Sequence, residues 1–215
     1  MLNKFIESTL LRPDATQEDY KKFFTEARKY KFYGVCIHPA YIKLAKRTLR
    51  ASGVKVVTVV GFPFGANDSG VKAYETAMAV RDGADEIDMV MNISAMKDQN
   101  YGYILEEFKK VKKACRQKPL KVIIETDLLT HDEIVEACKL CIKGKVNFVK
   151  TSTGYVKDGK GATVENVKLI AETLAGHRIK IKASGGIRDK KTAEAMIAAG
   201  ASRLGTSAGA VIMEG

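Results

Sequence analysis

Asn147-Phe148-Val149-Lys150-Thr151-Ser152-Thr153-Gly154 reads as a buried strand running into a polar, Gly-ended turn, with an amine where an apolar residue would ordinarily point inward. Burying an ammonium group costs solvation energy, so lysine in such a place is paired or put to chemical use. A buried amine that gives up its proton is a nucleophile toward carbonyl carbon. The next unit repeats the pattern, since Ile179-Lys180-Ile181-Lys182-Ala183-Ser184-Gly185-Gly186 again sets lysine at a strand end ahead of glycine. Two such lysines on consecutive strand-helix units point to a Schiff-base site. The alternative is a pair of edge-strand lysines facing water.

Outward from these two units, apolar β-branched runs alternate with helix-period segments along the whole chain. Strands are expected at Ile6–Leu10, Gly34–Ile37, Lys55–Gly61, Glu86–Asn92, Lys121–Thr126, Phe148–Thr151, Ile179–Ala183 and Arg203–Thr206. Helix starts are marked by capping-box spacing at Thr16 with Asp19 and Thr130 with Glu133, and by Asp189 ahead of Thr192. Gly53, Gly83, Gly144 and Gly200 fall where helices should stop. Eight strands alternating with helices predict an α/β fold, a TIM (β/α)8 barrel, as a single domain over residues 1–215. An open doubly wound sheet is the alternative, but its early G-x-G-x-x-G turn is absent.

Period-two alternation then sorts side chains into the barrel interior or the helix layer. It places Glu86 and Asp88 inward between Ile87 and Met89, Lys150 inward above Phe148, and Lys182 inward between Ile181 and Ala183. Glu125 and Asp127 are expected in the same polar lining. Acidic partners offset the burial of two ammonium groups, so these charges should occur together. Chemistry on such a barrel sits at the C-terminal ends of the strands. Gly185-Gly186-Ile187-Arg188 after the seventh strand and Gly205-Thr206-Ser207-Ala208-Gly209 after the eighth suit a phosphate: backbone N–H groups can approach an anion there, aided by the following helix N-termini.

Composition sets the remaining bounds. The chain has 215 residues, 46% hydrophobic and 28% charged, ordinary for a globular protein. No apolar run approaches the roughly 18 residues of a membrane span, and the opening Met1-Leu2-Asn3-Lys4-Phe5 lacks a signal-peptide core, so a cytoplasmic location is expected. A net charge of +11 raises nucleic acid as a partner. The basic pairs Lys21-Lys22, Lys109-Lys110, Lys112-Lys113 and Lys190-Lys191 fall on separate helices without interleaved aromatics. They read as solvated surface, with part of the charge free to attract a phosphorylated substrate. Cys138-Lys139-Leu140-Cys141 lies mid-helix without a second pair, which makes Cys115, Cys138 and Cys141 reduced structural thiols. Cys36, at a strand end, is a small buried hydrophobe or a site-lining residue. His38, His131 and His177 fall in different units with no ligand spacing, so neither metal nor cofactor is expected.

Glu86-Ile87-Asp88-Met89-Val90, Phe148-Val149-Lys150-Thr151-Ser152-Thr153-Gly154 and Lys182-Ala183-Ser184-Gly185-Gly186-Ile187-Arg188 closely resemble segments of the 2-deoxyribose-5-phosphate aldolases. Val60-Gly61-Phe62-Pro63, Val122-Ile123-Ile124-Glu125-Thr126 and Leu204-Gly205-Thr206-Ser207 extend the resemblance in order over nearly the whole chain. It implies a metal-free class I aldolase that cleaves 2-deoxy-D-ribose 5-phosphate to acetaldehyde and D-glyceraldehyde 3-phosphate. By the same resemblance, Lys150 forms the imine. Lys182 holds a positive charge beside it, favouring the neutral amine. Asp88 accepts and returns protons through water. Thr153, Gly185, Gly186, Gly205 and Ser207 surround the polar and phosphate end of the substrate, while Thr9 and Cys36 line the donor side. The chain departs from the family pattern at Glu7, often Asp; at Tyr155, where some members have Lys; and at Ala208, where a second Ser is frequent. A homo-oligomer, with a dimer favoured, is expected from association through outer helices.

Overall fold

Eight short runs rich in β-branched residues pair in sequence order. In the computed structural model, which describes residues 1–215, the strands are β1 (Ile6–Leu10), β2 (Gly34–Ile37), β3 (Lys55–Val60), β4 (Glu86–Val90), β5 (Leu120–Ile123), β6 (Phe148–Lys150), β7 (Lys180–Ser184) and β8 (Arg203–Thr206). All pairs are parallel, and β8 returns to β1 with Ile6 beside Leu204 and Glu7 beside Gly205. The sheet therefore closes on itself as the predicted TIM barrel. The outer ring is α1 (Gln17–Lys29), α2 (Ile42–Thr48), α3 (Ser69–Asp82), α4 (Ile93–Lys97), α5 (Tyr101–Ala114), α6 (His131–Lys143), α7 (Val164–Thr173), α8 (Lys190–Ala198) and α9 (Gly209–Glu214).

Local chemistry sets the helix ends. Thr16 with Asp19 and Thr130 with Glu133 form complete capping boxes, and Asp189 accepts from the Thr192 N–H. Gly83 ends α3 in the left-handed region at φ 109°. Gly144 differs from expectation: it is right-handed at φ −74°, and Lys145 takes the positive φ. Close packing accounts for glycine here, since a Cβ would lie 3.0 Å from the Phe108 ring. Four strands stop short of their predicted ends, β3 and β6 by one residue and β4 and β5 by more. β4 ends at Val90, and Asn92 instead caps α4 through the Ala95 N–H. β5 ends at Ile123, because Glu125 turns left-handed at φ 58° and leads into a single 3-10 turn over Thr126–Leu128.

The outward strand residues Ile87, Met89, Val122, Val149, Ile181 and Leu204 merge with helix residues such as Phe24, Phe108 and Ile134 into one large core. Each fully buried aliphatic side chain there contributes about 1.5–3 kcal/mol. The barrel interior is unlike that shell. Its β1–β3 side holds a small apolar cluster of Leu11, Cys36, Val57 and Val59 with Phe62 against it, and its remaining wall carries buried charges around the Phe148 ring.

One further buried ion pair lies between barrel and helices. Lys72 Nζ reaches the Val90 carbonyl at 2.8 Å and Glu107 at 2.6 Å, while the other Glu107 oxygen accepts from the Asn92 N–H at 3.1 Å. The pair clamps the turn leaving β4, the strand that carries Asp88. Burial outweighs their mutual attraction, pushing the Lys72 ammonium down and the Glu107 carboxyl up from their ordinary values.

Candidate active site

Register decides which charges meet. Asp88 on β4 is level with Lys121 on β5, Lys150 on β6 is level with Lys182 on β7, and Lys182 is level with Arg203 on β8. All share inward parity, so three ammonium groups converge on one carboxylate. Asp88 Oδ2 accepts from Lys150 Nζ at 3.0 Å and from Lys182 Nζ at 2.7 Å, and Asp88 Oδ1 accepts from Lys121 Nζ at 2.9 Å. Burial works to raise the Asp88 carboxyl, but Lys121, Lys182 and Lys150 overcome it and hold the group well below the usual carboxylate range. Burial likewise works to lower Lys182, yet Asp88 and Glu7 hold it above the ordinary lysine value. Lys121 is held well above the ordinary lysine value in the same way, by Asp88, Glu7 and Glu86 acting against burial.

Lys150 differs from these two in its access. Lys121 and Lys182 are wholly enclosed, whereas Lys150 is 4% exposed at the side chain and lines a cleft of about 430 Å³ at the C-terminal end of the barrel. The interior holds four cations (Lys121, Lys150, Lys182 and Arg203) against three carboxylates (Glu7, Glu86 and Asp88). The cation beside the cleft is the one a ligand can reach, and its carboxylate partner Asp88 lies 3.0 Å away.

The cleft also gathers Thr9, Thr153, Gly185, Gly186, Gly205 and Ser207 around Lys150. Thr153 is held by Glu125, which accepts from its N–H at 3.1 Å and from its hydroxyl. Thr9 Oγ1 donates to the Glu7 carbonyl at 3.1 Å, while the Glu7 carboxylate goes instead to Lys182 and Arg203. Cys36 lies below the cleft, fully buried, with Sγ 3.9 Å from Asp88 Oδ2. Its thiol is raised by burial. At the mouth, the Tyr155 hydroxyl donates to the Leu11 carbonyl at 2.7 Å and its ring meets Phe62 edge-on, tying the loop after β6 to the loop after β1.

Three expectations need correction. Asp127 is not in the interior lining: the left-handed turn at Glu125 swings it out, where it accepts from the Lys160 and Gly161 N–H groups. Glu125 sits above the ionic layer, beneath Thr153 rather than beside Asp88. The helix dipole expected to favour an anion is already answered at α8, whose N-terminus is capped by the Asp189 carboxylate. The N–H groups of Gly185, Gly186 and Ser207 donate to nothing within the chain, so these are the anion donors the loops offer.

Lys121 was missed by sequence reasoning. A lysine opening a β-rich run reads as a solvated strand start; its parity with Ile123 and its register with Asp88 were the available signals. Arg203, which opens β8, was missed for the same reason, and Glu7 was noted only as a departure from the family pattern.

Comparison with known proteins agrees with the fold and the site segments. Residues 7–213 match the family model for DeoC/LacD family aldolases. The chain is 50% identical over 214 residues to the deoxyribose-phosphate aldolase of Mannheimia succiniciproducens, covering all of this chain and 94% of that one. It is 50% identical to the deoxyribose-phosphate aldolase of Clostridium tetani, covering 99% and 98%. Among solved structures, an aldolase designated QR15 superposes with TM-score 0.94 at 43% identity, covering 99% of this chain and 94% of that one. A deoxyribose phosphate aldolase from Aeropyrum pernix, described as a tetramer, superposes with TM-score 0.91 at 31% identity over 99% of this chain and 89% of its own. With nearly its full length matched by the family model and by relatives at half identity, the chain belongs to the DeoC/LacD family of aldolases.

Proposed function

We propose that this protein is a class I aldolase that reversibly cleaves 2-deoxy-D-ribose 5-phosphate to acetaldehyde and D-glyceraldehyde 3-phosphate, with Lys150 as the imine-forming residue, in the breakdown of deoxyribose phosphates. The observation that carries this reading is the placement of Lys150. It is the interior amine that lines the cleft, and its Nζ lies 3.0 Å from a carboxylate that Lys121 and Lys182 keep ionised.

The chemistry follows from that placement. The Lys150 amine adds to the substrate aldehyde carbon to give a carbinolamine, and loss of water gives the protonated imine. A base then takes the proton of the C3 hydroxyl as the C2–C3 bond breaks. D-Glyceraldehyde 3-phosphate leaves, and the bonding pair is held as an enamine on Lys150. Protonation of the enamine carbon and hydrolysis release acetaldehyde and restore the amine. Asp88 is suited to carry protons through these steps, directly or through water, because it bonds Lys150 and Lys182 through one oxygen. Lys182, on the same Asp88 oxygen, supplies a buried positive charge beside the reacting amine. Gly185, Gly186 and Ser207 would take the phosphate through their free N–H groups. Arg12 and Arg188 stand at the same mouth.

No helix is long and apolar enough to cross a membrane, and a cytoplasmic address is part of the proposal. So is action of the whole chain as one domain, with small phosphorylated molecules rather than nucleic acid as partners. The tetrameric relative supports a homo-oligomer, and the preference for a dimer is our reading of association through outer helices. Val71 and Tyr74, exposed on one face of α3, suit such an association.

Product analysis tests the reaction. Incubation with 2-deoxyribose 5-phosphate should release acetaldehyde and glyceraldehyde 3-phosphate in equal amounts. Release of dihydroxyacetone or its phosphate from ketose phosphates, with deoxyribose 5-phosphate untouched, would instead make it a ketose-donor aldolase on the same barrel.

A further inference from the structure

The ionic layer does not stop beneath the cleft. Lys121 Nζ, 2.9 Å from Asp88 Oδ1, is also 2.6 Å from Glu86 Oε2, one inward position lower on β4. The other Glu86 oxygen accepts from the hydroxyl of Tyr33, a half-buried residue just before β2 at the opposite end of the barrel. The Arg203 guanidinium lies over the Tyr33 ring, 3.2 Å from its centroid, with Nε 3.2 Å from a Glu7 oxygen. An unbroken series of polar contacts thus joins the cleft to the far end of the barrel: Lys150, Asp88, Lys121, Glu86, Tyr33. TIM-barrel interiors are ordinarily filled by layers of branched apolar side chains, so charge carried this deep requires a reason.

We infer that Glu86, held by Tyr33 at the closed end of the barrel, is a positioning residue for the imine chemistry, acting through Lys121 to set how strongly Asp88 engages Lys150. The inference rests on Lys150 being the imine-forming amine. Lys121 is shared between Glu86 and Asp88 at close range, with Glu7 farther off at 3.5 Å, and each takes part of its charge. Without the Glu86 charge, Asp88 is the nearer of the two carboxylates left to Lys121. Asp88 then becomes a weaker base and a weaker partner for the Lys150 ammonium.

The groups facing this series from each packed element fix the sign. Glu86 meets Lys121 from β5, Tyr33 from the segment before β2, and Arg203 from β8. Asp88 and Lys150 also face Lys182 from β7, Cys36 from β2 and, through Lys182, Glu7 from β1, while Glu125 in the turn after β5 acts on Lys150 from above. With four interior cations against three carboxylates, removing one carboxylate leaves four against two. Every remaining proton in the network is then held less tightly. The acid limb of the pH–rate profile reports protonation of the amine and its base, so it must move to lower pH. A charge one residue beyond the reacting pair is expected to move it by about half to one unit.

The test compares pH profiles of kcat/KM for Glu86→Gln, Glu86→Asp and Tyr33→Phe with that of the parent enzyme. Glu86→Gln should shift the acid limb downward by about that amount and lower kcat about 10-fold, short of the ~10²-fold loss expected on removing the base itself. KM for the phosphorylated sugar should stay within about twofold, because Glu86 is far from the anion loops. Glu86→Asp keeps the charge and should keep the acid limb of the parent. Tyr33→Phe, at a half-buried position that leaves the ring under Arg203, should shift the limb the same way by less. An unmoved limb in both Glu86→Gln and Tyr33→Phe, with only the melting temperature lowered, would make the series a structural plug and overturn the inference. Borohydride trapping of Glu86→Gln with acetaldehyde keeps the two readings apart. An adduct on Lys150 with an unmoved limb sinks the role of Glu86 alone, whereas an adduct elsewhere sinks the assignment of Lys150.

Discussion

Asp88 is the residue on which the site turns, because it is the common partner of Lys121, Lys150 and Lys182. An isolated carboxylate in a strand of Ile, Met and Val would be costly; here three cations hold it ionised. Asp88→Asn keeps the shape and removes the charge, and turnover is expected to fall at least ~10²-fold, the lower range for losing a general base. Steady-state kinetics checks this, and unchanged turnover removes Asp88 from the chemistry. The same network predicts a stability profile. Asp88 lies below its unfolded value when folded, so its contribution is present above the ordinary carboxylate range and lost as pH falls through the folded value. Lys121 and Lys182 lie above theirs, so their contribution is full below the ordinary lysine value and is lost only as pH rises through their folded values. Melting temperature should therefore be flat with respect to this network between roughly pH 4 and 10 and should fall outside that window. Lys121→Met should cost about 3 kcal/mol at neutral pH, the loss expected when a buried ion pair loses one partner, as read from urea unfolding.

At the scale of elements, the two ends of a strand-helix unit do different work. Lys72 on α3 and Glu107 on α5 clamp the turn after β4, and burial pushes both toward their neutral forms. Lys72→Met alone strands Glu107 and should destabilise by about 3–5 kcal/mol. Adding Glu107→Leu should recover most of that loss, because a well-packed apolar pair is often as stable as a buried ionic one. Chemical denaturation of both singles and the double measures the coupling. The anion loops after β7 and β8 are better probed at Ser207 than at glycine. A Cβ on Gly186, already at φ 74°, would lie 2.7 Å from the Lys160 carbonyl, so a side chain there disturbs the loop after β6 as well as the anion. Ser207→Asp, at an exposed position, should raise KM for the phosphorylated sugar about 10²-fold and leave imine trapping with acetaldehyde unchanged. Equal loss for both would place the phosphate elsewhere.

Which parts of these elements could be read from the chain follows from physics. β1, β2 and β8 have their predicted ends, the last bordered by Ser202 and Ser207, and the capping boxes of α1 and α6 lie where their spacing puts them. The end of β5 was not legible, since Val122-Ile123-Ile124 continues to look like strand while the backbone at Glu125 turns left-handed under tertiary constraint. Lys150, Lys182 and Asp88 were legible because strand parity fixes the side each faces. Lys121 and Arg203 were not, because a basic residue at the start of a strand ordinarily faces water. Only closure of the barrel, which brings Glu7, Glu86 and Asp88 to the same axis, supplies the carboxylates that let them turn inward.

The whole molecule is an apolar shell around an ionic axis, with one end of that axis open to a cleft. The surface carries most of the net charge of +11 on separate helices, while the interior carries one cation more than it has carboxylates. That surplus cation is beside the cleft, which ties the fold to the proposed chemistry and makes Lys150 the central claim. The most direct measurement is borohydride reduction in the presence of acetaldehyde and EDTA, followed by peptide mapping. The expected result is a single ethylated lysine at Lys150, formed undiminished under chelation and absent from Lys150→Ala, which should remain folded but inactive. An adduct at Lys182 or Lys121, or no adduct in an enzyme whose turnover EDTA abolishes, would contradict it.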